Sequence, residues 1–215
     1  MLNKQKGNMY PWVTHTWNPI KGRCPHDCSY CYMKRFPVGD LRLDQKCFKD
    51  NLGSGNTIFV GSSCDMFAEQ VPELWLKNVF CYISSYTNNT YLFQTRNPGR
   101  LSGYFIPPFV ICGTTIDSNR DYKNSKAPIP YNRFTGLVEL DAEHKMVSME
   151  PILDFDLDTM VEWVKEIKPD FVSIGADSKS NGLPEPSKEK VLELINEMKM
   201  ITEVKKKTNL NRLIR

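Results

Sequence analysis

The sequence predicts an α/β protein, an incomplete (β/α)6 TIM-type barrel with a parallel sheet inside and helices outside. Three observations predict it. Short runs rich in β-branched and aromatic residues alternate with longer stretches of helical periodicity, the pattern of successive β/α units. Six such units follow one another without sign of a chain reversal, which favours three quarters of the eight-unit barrel over an open doubly wound sheet. The 215 residues, 40% of them hydrophobic, are enough for one core, so a single domain over 1–215 is expected.

Taken in order, the strands are expected at residues 12–17, 57–61, 90–94, 109–113, 145–149 and 171–175, where Val, Ile, Phe, Tyr, Thr and Trp concentrate between turn-forming residues. Helices are expected at 29–35, 72–86, 133–143, 157–167 and 187–206, with a short helix or turn around 97–103. Asp158 stands close to a capping arrangement in the fourth helix, and Ser187 heads the fifth with Lys190 three residues on. Residues 117–132 carry Pro/Asn-type turn chemistry and little apolar content, and read as a long loop over one face of the sheet. Loops of that length are often functional.

Composition narrows the class. No run approaches the roughly 20 apolar residues of a membrane helix, and MLNKQKGNMY lacks the apolar stretch of a secretory signal, so a cytoplasmic protein without a membrane partner is expected. Seven cysteines, an odd number without an export signal, favour metal ligation or free thiols over a disulfide framework. The net charge of +3 is too small to imply nucleic-acid binding. From Lys199 to Arg215, however, six basic residues face one acid, within a basic C-terminal helix or tail at about 187–215. That tail is either a solvated helix end whose cations complement the helix dipole or a phosphate-facing patch.

The most specific signal follows the first strand: Cys24, Cys28 and Cys31, spaced C-x3-C-x2-C. Three thiolates so close can wrap one iron-sulfur cube and supply three of its four irons, leaving the fourth open to a small molecule. A zinc site is the alternative, but zinc wants four tetrahedral ligands, His26 is awkwardly spaced, and Cys47, Cys64, Cys81 and Cys112 are scattered singly. Coincidental free thiols are the third possibility.

With Tyr30 before the last cysteine, this motif resembles the signature of the radical S-adenosylmethionine (SAM) superfamily. Trp17-Asn18-Pro19, Phe59 to Ser62 with Asp65-Met66-Phe67, Phe93-Gln94-Thr95 and Ser148-Met149-Glu150-Pro151 resemble a phage-associated branch of it, whose members mostly lack an assigned reaction. The resemblance implies a [4Fe-4S] cluster on Cys24, Cys28 and Cys31, with Tyr30 beside the cofactor. The amino and carboxylate groups of S-adenosyl-L-methionine would chelate the open iron. Reductive cleavage would then give a 5′-deoxyadenosyl radical that abstracts hydrogen from a substrate, and the protein's share is positioning and protection. A reductant such as flavodoxin or ferredoxin is implied as partner.

Further candidates stand after the strands. Ser62, Ser63 and Asp65 occupy the place where related enzymes present Gly-Gly-Glu to the SAM ammonium; they depart from that element but still accept hydrogen bonds, and Asp65 alternatively caps the next helix. Gln94, Thr95 and Arg96 end the third strand, and the Arg96 fork suits the SAM carboxylate or a phosphate, or else solvent. Thr114, Thr115 and Asp117 suit ribose hydroxyls, with a turn role open for Asp117. Glu150 is expected to point into the barrel mouth, to bind SAM or a substrate donor or to form an ion pair; buried there, it needs a partner. Gly175 and Ala176 offer close backbone approach to an adenine, or a plain turn. Cys64 and Cys112 read as hydrogen-atom donors to a product radical or as small buried apolar residues. His15 and the four tryptophans read as core.

The leading expectation is an enzyme modifying a nucleobase, nucleoside or nucleic acid, supported by the basic tail and by the cations and tyrosines of loop 117–132. A glycyl-radical activating or peptide-modifying radical SAM enzyme is the second reading, and a zinc-stabilised binding module without turnover the third.

Overall fold

The structure, a computed structural model, describes residues 1–7 and 9–215. In chain order its strands are β1 (Leu2–Lys4), β2 (His15–Trp17), β3 (Ile20–Lys21), β4 (Arg42–Leu43), β5 (Thr57–Val60), β6 (Thr90–Thr95), β7 (Val110–Thr115), β8 (His144–Met149), β9 (Phe171–Ile174) and β10 (Glu203–Lys206). The helices are α1 (Glu73–Ile83), α2 (Pro130–Val138), α3 (Leu157–Ile167), α4 (Lys188–Lys199) and α5 (Asn211–Ile214). Eight strands form one sheet in the order β1-β2-β5-β6-β7-β8-β9-β10, and β3 and β4 form a separate antiparallel pair. From β2 onward each strand of the large sheet runs parallel to the next, while β1 is antiparallel, Leu2 opposite Trp17.

Because the order advances in one direction, the sheet wraps as a barrel does and has no switch point. It stays open, since β1 and β10 end it without pairing to each other. Alternate residues point to opposite faces of each strand. Val60, Phe93, Val147, Val172 and Ile174 face the outer core with Leu76, Leu137, Val164 and Leu194 of the helices. Leu92, Met146 and Phe171 face inward, where Tyr10 and Val13 pack against them. Each fully buried side chain of this size contributes about 1.5–3 kcal/mol.

All six expected strands form, each within a few residues of its expected ends, and α3 spans 157–167 as the periodicity predicts. Its capping differs: Asp156, not Asp158, holds the N-cap position. The Asp156 carboxylate accepts from Asn119 Nδ2 and from the Arg120 guanidinium instead of from its own helix. The expected helix over 29–35 is only a 3-10 turn, Tyr32–Arg35, because the preceding backbone bonds elsewhere: Ser29 N donates to Asn124 O at 2.8 Å. α2 starts early, at Pro130, whose fixed φ suits a first helical position.

The largest correction is at the C-terminus, where the helix expected over 187–206 stops at Lys199 and a seventh parallel strand, β10, follows. Thr202 Oγ1 donates to Pro169 O at the turn. In β10 Val204 packs on the outer core, while Lys205 lies inward over the Phe171 ring, 3.8 Å from its centroid. The basic tail is therefore partly a barrel wall. No helix among the described residues is long and apolar enough to cross a membrane.

Candidate active site

The cysteines lie on the loop between β3 and β4, whose pairing clasps its base. Gly22 starts the loop at φ +110, and a Cβ there would stand 2.2 Å from Asp40 O. Arg23 N donates to Gly39 O across the neck at 2.9 Å. Gly22→Ala is thus expected to cost at least about 1–3 kcal/mol through backbone strain, read as a lower melting temperature together with lower iron uptake on reconstitution.

Cys24, Cys28 and Cys31 are each half-buried and line one cavity of about 520 Å³. Their electrostatics differ. A hydrogen bond from the Cys64 thiol lowers the Cys24 pKa, and the same bond, with burial, pushes Cys64 up. Burial pushes the Cys28 and Cys31 thiols up, with the Arg96 charge working against it at Cys28.

Two buried carboxylates brace this loop from the C-terminal ends of the strands. Asp65, after β5, accepts from Thr95 Oγ1 at 3.0 Å and Arg96 N at 2.7 Å through one oxygen, and from Phe67 N at 3.0 Å through the other. His26 Nε2 stands 3.0 Å from the same carboxylate, close enough for ion pairing though off the hydrogen-bond line. Burial alone would raise the Asp65 pKa, yet the His26 ring and the surrounding donors hold it below the ordinary carboxylate value. Asp117, after β7, binds Arg96 and Arg133 at 3.1 Å each, and accepts from Tyr30 Oη at 3.0 Å and Asn124 Nδ2 at 3.3 Å. Arg96 also touches the Tyr30 hydroxyl and lies over its ring. Burial, then the Arg96 charge, pulls Arg133 down to about 10. Two guanidinium groups share one carboxylate, so the trio keeps a surplus positive charge. Arg96 Nη1 is buried without a hydrogen-bond partner.

A second polar group lines the inner face. Glu150 pairs with Lys207 Nζ at 2.7 Å and accepts from Asn209 Nδ2 at 3.1 Å. Gly175 permits this approach, since a Cβ there would stand 2.9 Å from Glu150 Cδ. Tyr10 Oη lies 2.8 Å from both Gln94 Oε1 and Ser148 Oγ, and Gln94 Nε2 donates to Thr115 Oγ1 at 3.1 Å. Burial, then the Glu150 charge, raises the Tyr10 pKa.

The structure therefore brings Tyr30, Asp65, Arg96 and Asp117 to the cysteine loop, and Gln94, Thr115, Glu150 and Gly175 to the barrel interior. Ser62 and Ser63 turn away from the cysteine cavity: Ser62 Oγ and Ser63 N both donate to Asn18 Oδ1, at 3.2 and 3.0 Å, and both residues line a different groove. Thr114 donates to Thr95 O at 2.8 Å and is fully buried. Cys112 faces the helices in the outer core, away from the barrel interior. Three contributors escaped the sequence reading, namely His26 as a brace, Arg133 and Lys207, because each finds its carboxylate partner through the fold. Most of the cations at and beside loop 117–132 are likewise taken, Arg120 by Asp154 and Asp156, Lys126 by Asp27 and Arg133 of α2 by Asp117, while Lys123 is exposed and makes no ion pair among the described residues.

Among the described residues no trio of His, Cys, Asp or Glu converges on one point as a single ion requires. An iron-sulfur cube asks for something else, one thiolate on each of three separate irons, and three thiols around one cavity, with the Arg96 charge felt at Cys28, fit that demand.

No curated protein matches the chain. Its fold is similar to that of a spore photoproduct lyase mutant (TM-score 0.61, 11% identity, 92% of this chain and 64% of that one). It is also similar to spore photoproduct lyase with bound AdoMet and dinucleoside spore photoproduct (TM-score 0.59, 10% identity, 92% and 64%). Streptococcus suis SuiB bound to S-adenosylmethionine is a further match (TM-score 0.58, 8% identity, 89% and 49%). The chain spans less than two thirds of the length of these proteins, and at such identities the likeness is one of fold. Residues 40–184 match the model of the family described as "Protein of unknown function (DUF5131)", and the chain belongs to that family.

Proposed function

We propose that this protein is a radical SAM enzyme acting on a nucleobase or nucleoside, within a nucleic acid. The observation that carries the reading is the one cavity shared by Cys24, Cys28 and Cys31, on a loop joined through Tyr30 to Arg96, whose Nη1 is buried without a hydrogen-bond partner. The three cysteines hold the [4Fe-4S] cluster. Arg96, braced by Asp117 and Tyr30, offers its spare N–H to the SAM carboxylate. Glu150, held by Lys207 and Asn209, faces a donor on cofactor or substrate, and Gln94, Thr115 and Gly175 shape the interior around it. When bound, cluster and SAM supply one-electron chemistry that ends in hydrogen-atom abstraction from the substrate. Cys64 is buried and lowers the Cys24 pKa, which favours support of that ligand over hydrogen donation to a product. A small electron carrier such as flavodoxin or ferredoxin is the proposed reductant.

The dinucleoside bound by spore photoproduct lyase supports a nucleic-acid substrate. A peptide is the second reading, favoured by the likeness to SuiB, which was solved bound to its precursor peptide SuiA. Anaerobic reconstitution followed by incubation with SAM and a strong reductant is expected to yield 5′-deoxyadenosine from protein containing iron and sulfide. Zinc without iron and sulfide, or SAM left intact, would overturn the proposal.

A further inference from the structure

Ion pairing sorts the cations of this chain. Lys205 and Lys207 are spent on the Phe171 ring and Glu150, and Arg212 on Glu185, which leaves Lys199, Lys206 and Arg215 of the basic tail exposed and without an ion pair among the described residues. Lys4 and Lys6 are likewise exposed, and neither makes an ion pair among the described residues, but these two stand together. They line a groove of about 600 Å³ along the edge strand β1. Its wall holds amide and hydroxyl groups, Asn18 and Ser62 among them, and no carboxylate. At the end nearest the cysteines stands Tyr32, 46% exposed, in edge contact with the 56% exposed Phe36. Tyr32 Oη donates to Ser62 O at 3.1 Å, which fixes the ring as part of the groove.

We propose that this groove binds single-stranded nucleic acid, with phosphates on Lys4 and Lys6 and an unstacked base on Tyr32. Unneutralised cations without a competing carboxylate select an anion, and an exposed fixed aromatic gives any base a stacking face. An acidic peptide would find the same lysines but would have no use for the aromatic platform. Tyr32 directly follows Cys31, so a base stacked there lies at the border of the cysteine cavity. The proposal rests on the nucleic-acid reading above and deepens it by giving the strand its track.

The test is binding of a short fluorescent DNA single strand by the full chain, without iron or SAM, followed by anisotropy over a salt series. Binding is expected to weaken steeply with salt. Lys4→Glu with Lys6→Glu should reduce affinity at least about tenfold and flatten the log–log salt slope by roughly 1.4, two contacts at about 0.7 each. Tyr32→Leu should weaken binding by roughly tenfold with the slope unchanged. Lys188→Glu, on the far helix α4, should bind like the parent. Should the double variant not fold, Lys6→Gln carries the same comparison. Parental affinity and slope in the lysine variants would overturn the proposal, and so would competition by poly-glutamate as effective as by DNA. Because no iron is present, failure here leaves the cluster reading standing. Absence of iron and of 5′-deoxyadenosine with DNA binding intact would strike the cluster reading alone.

Discussion

A Cys28→Ala protein is expected to emerge from reconstitution colourless, with iron near zero, and to release no 5′-deoxyadenosine from SAM under reducing conditions. Three thiols share the cavity, so each is expected to hold its own iron, and none of the other four cysteines lines it. The fold itself should persist, because Cys28 is half-buried on a loop clasped by β3 and β4. Cys112→Ala is the informative contrast. It removes a fully buried core sulfur and should lower stability by about 1 kcal/mol while leaving iron content at the parental level. Brown, active Cys28→Ala protein would remove the ligand assignment.

Asp117→Asn is expected to have the largest effect on stability. The isostere keeps its size but takes away the one negative charge between Arg96 and Arg133, both buried. Breaking such a site by removing one partner costs about 3–5 kcal/mol, and at this chain length each kcal/mol moves the melting temperature by roughly 2–4 °C. The pH dependence has a definite sign. Burial would raise the Asp117 pKa, but Arg96 and Arg133 hold it below the ordinary carboxylate value. A depressed folded-state pKa contributes stability that is complete above the unfolded value near 3.9 and is lost as pH falls through the folded value. Acid unfolding of the parent below about pH 4 should therefore contain a step that Asp117→Asn lacks. Chemical denaturation across pH 2–7 reads both effects, and equal stability of the two proteins near neutrality would refute the account of the trio.

Much of the barrel was legible because local chemistry and global need agree in its strands. Ile58, Val60, Val110, Val147 and Val172 are β-branched and buried, and the apolar spacing of 157–167 matches the face that α3 buries. β10 was not legible. Its inward Lys205, and Lys207 just past its end, read as surface until Phe171, Trp12 and Glu150 are brought beneath them. The cysteine triplet declares itself by spacing, whereas its bracing does not: His26 meets Asp65, and Tyr30 meets Asp117, only across the closed fold. Nor could composition say which cations are spent, since loop 117–132 looks basic and aromatic in sequence while its Arg120 and Lys126 close on Asp154, Asp156 and Asp27, and Arg133 just beyond it on Asp117.

The clamp of loop 117–132 on the cysteine segment bears on the order of assembly. Tyr30 waits for a partner 87 residues downstream, and the backbone of Ser29 and Lys126 joins the same two segments. Closing so long a loop is entropically late. The sulfurs of the amino-terminal third thus lack their full bracing until the middle third has been made, so loading of the proposed cluster is expected to follow folding rather than to seed it.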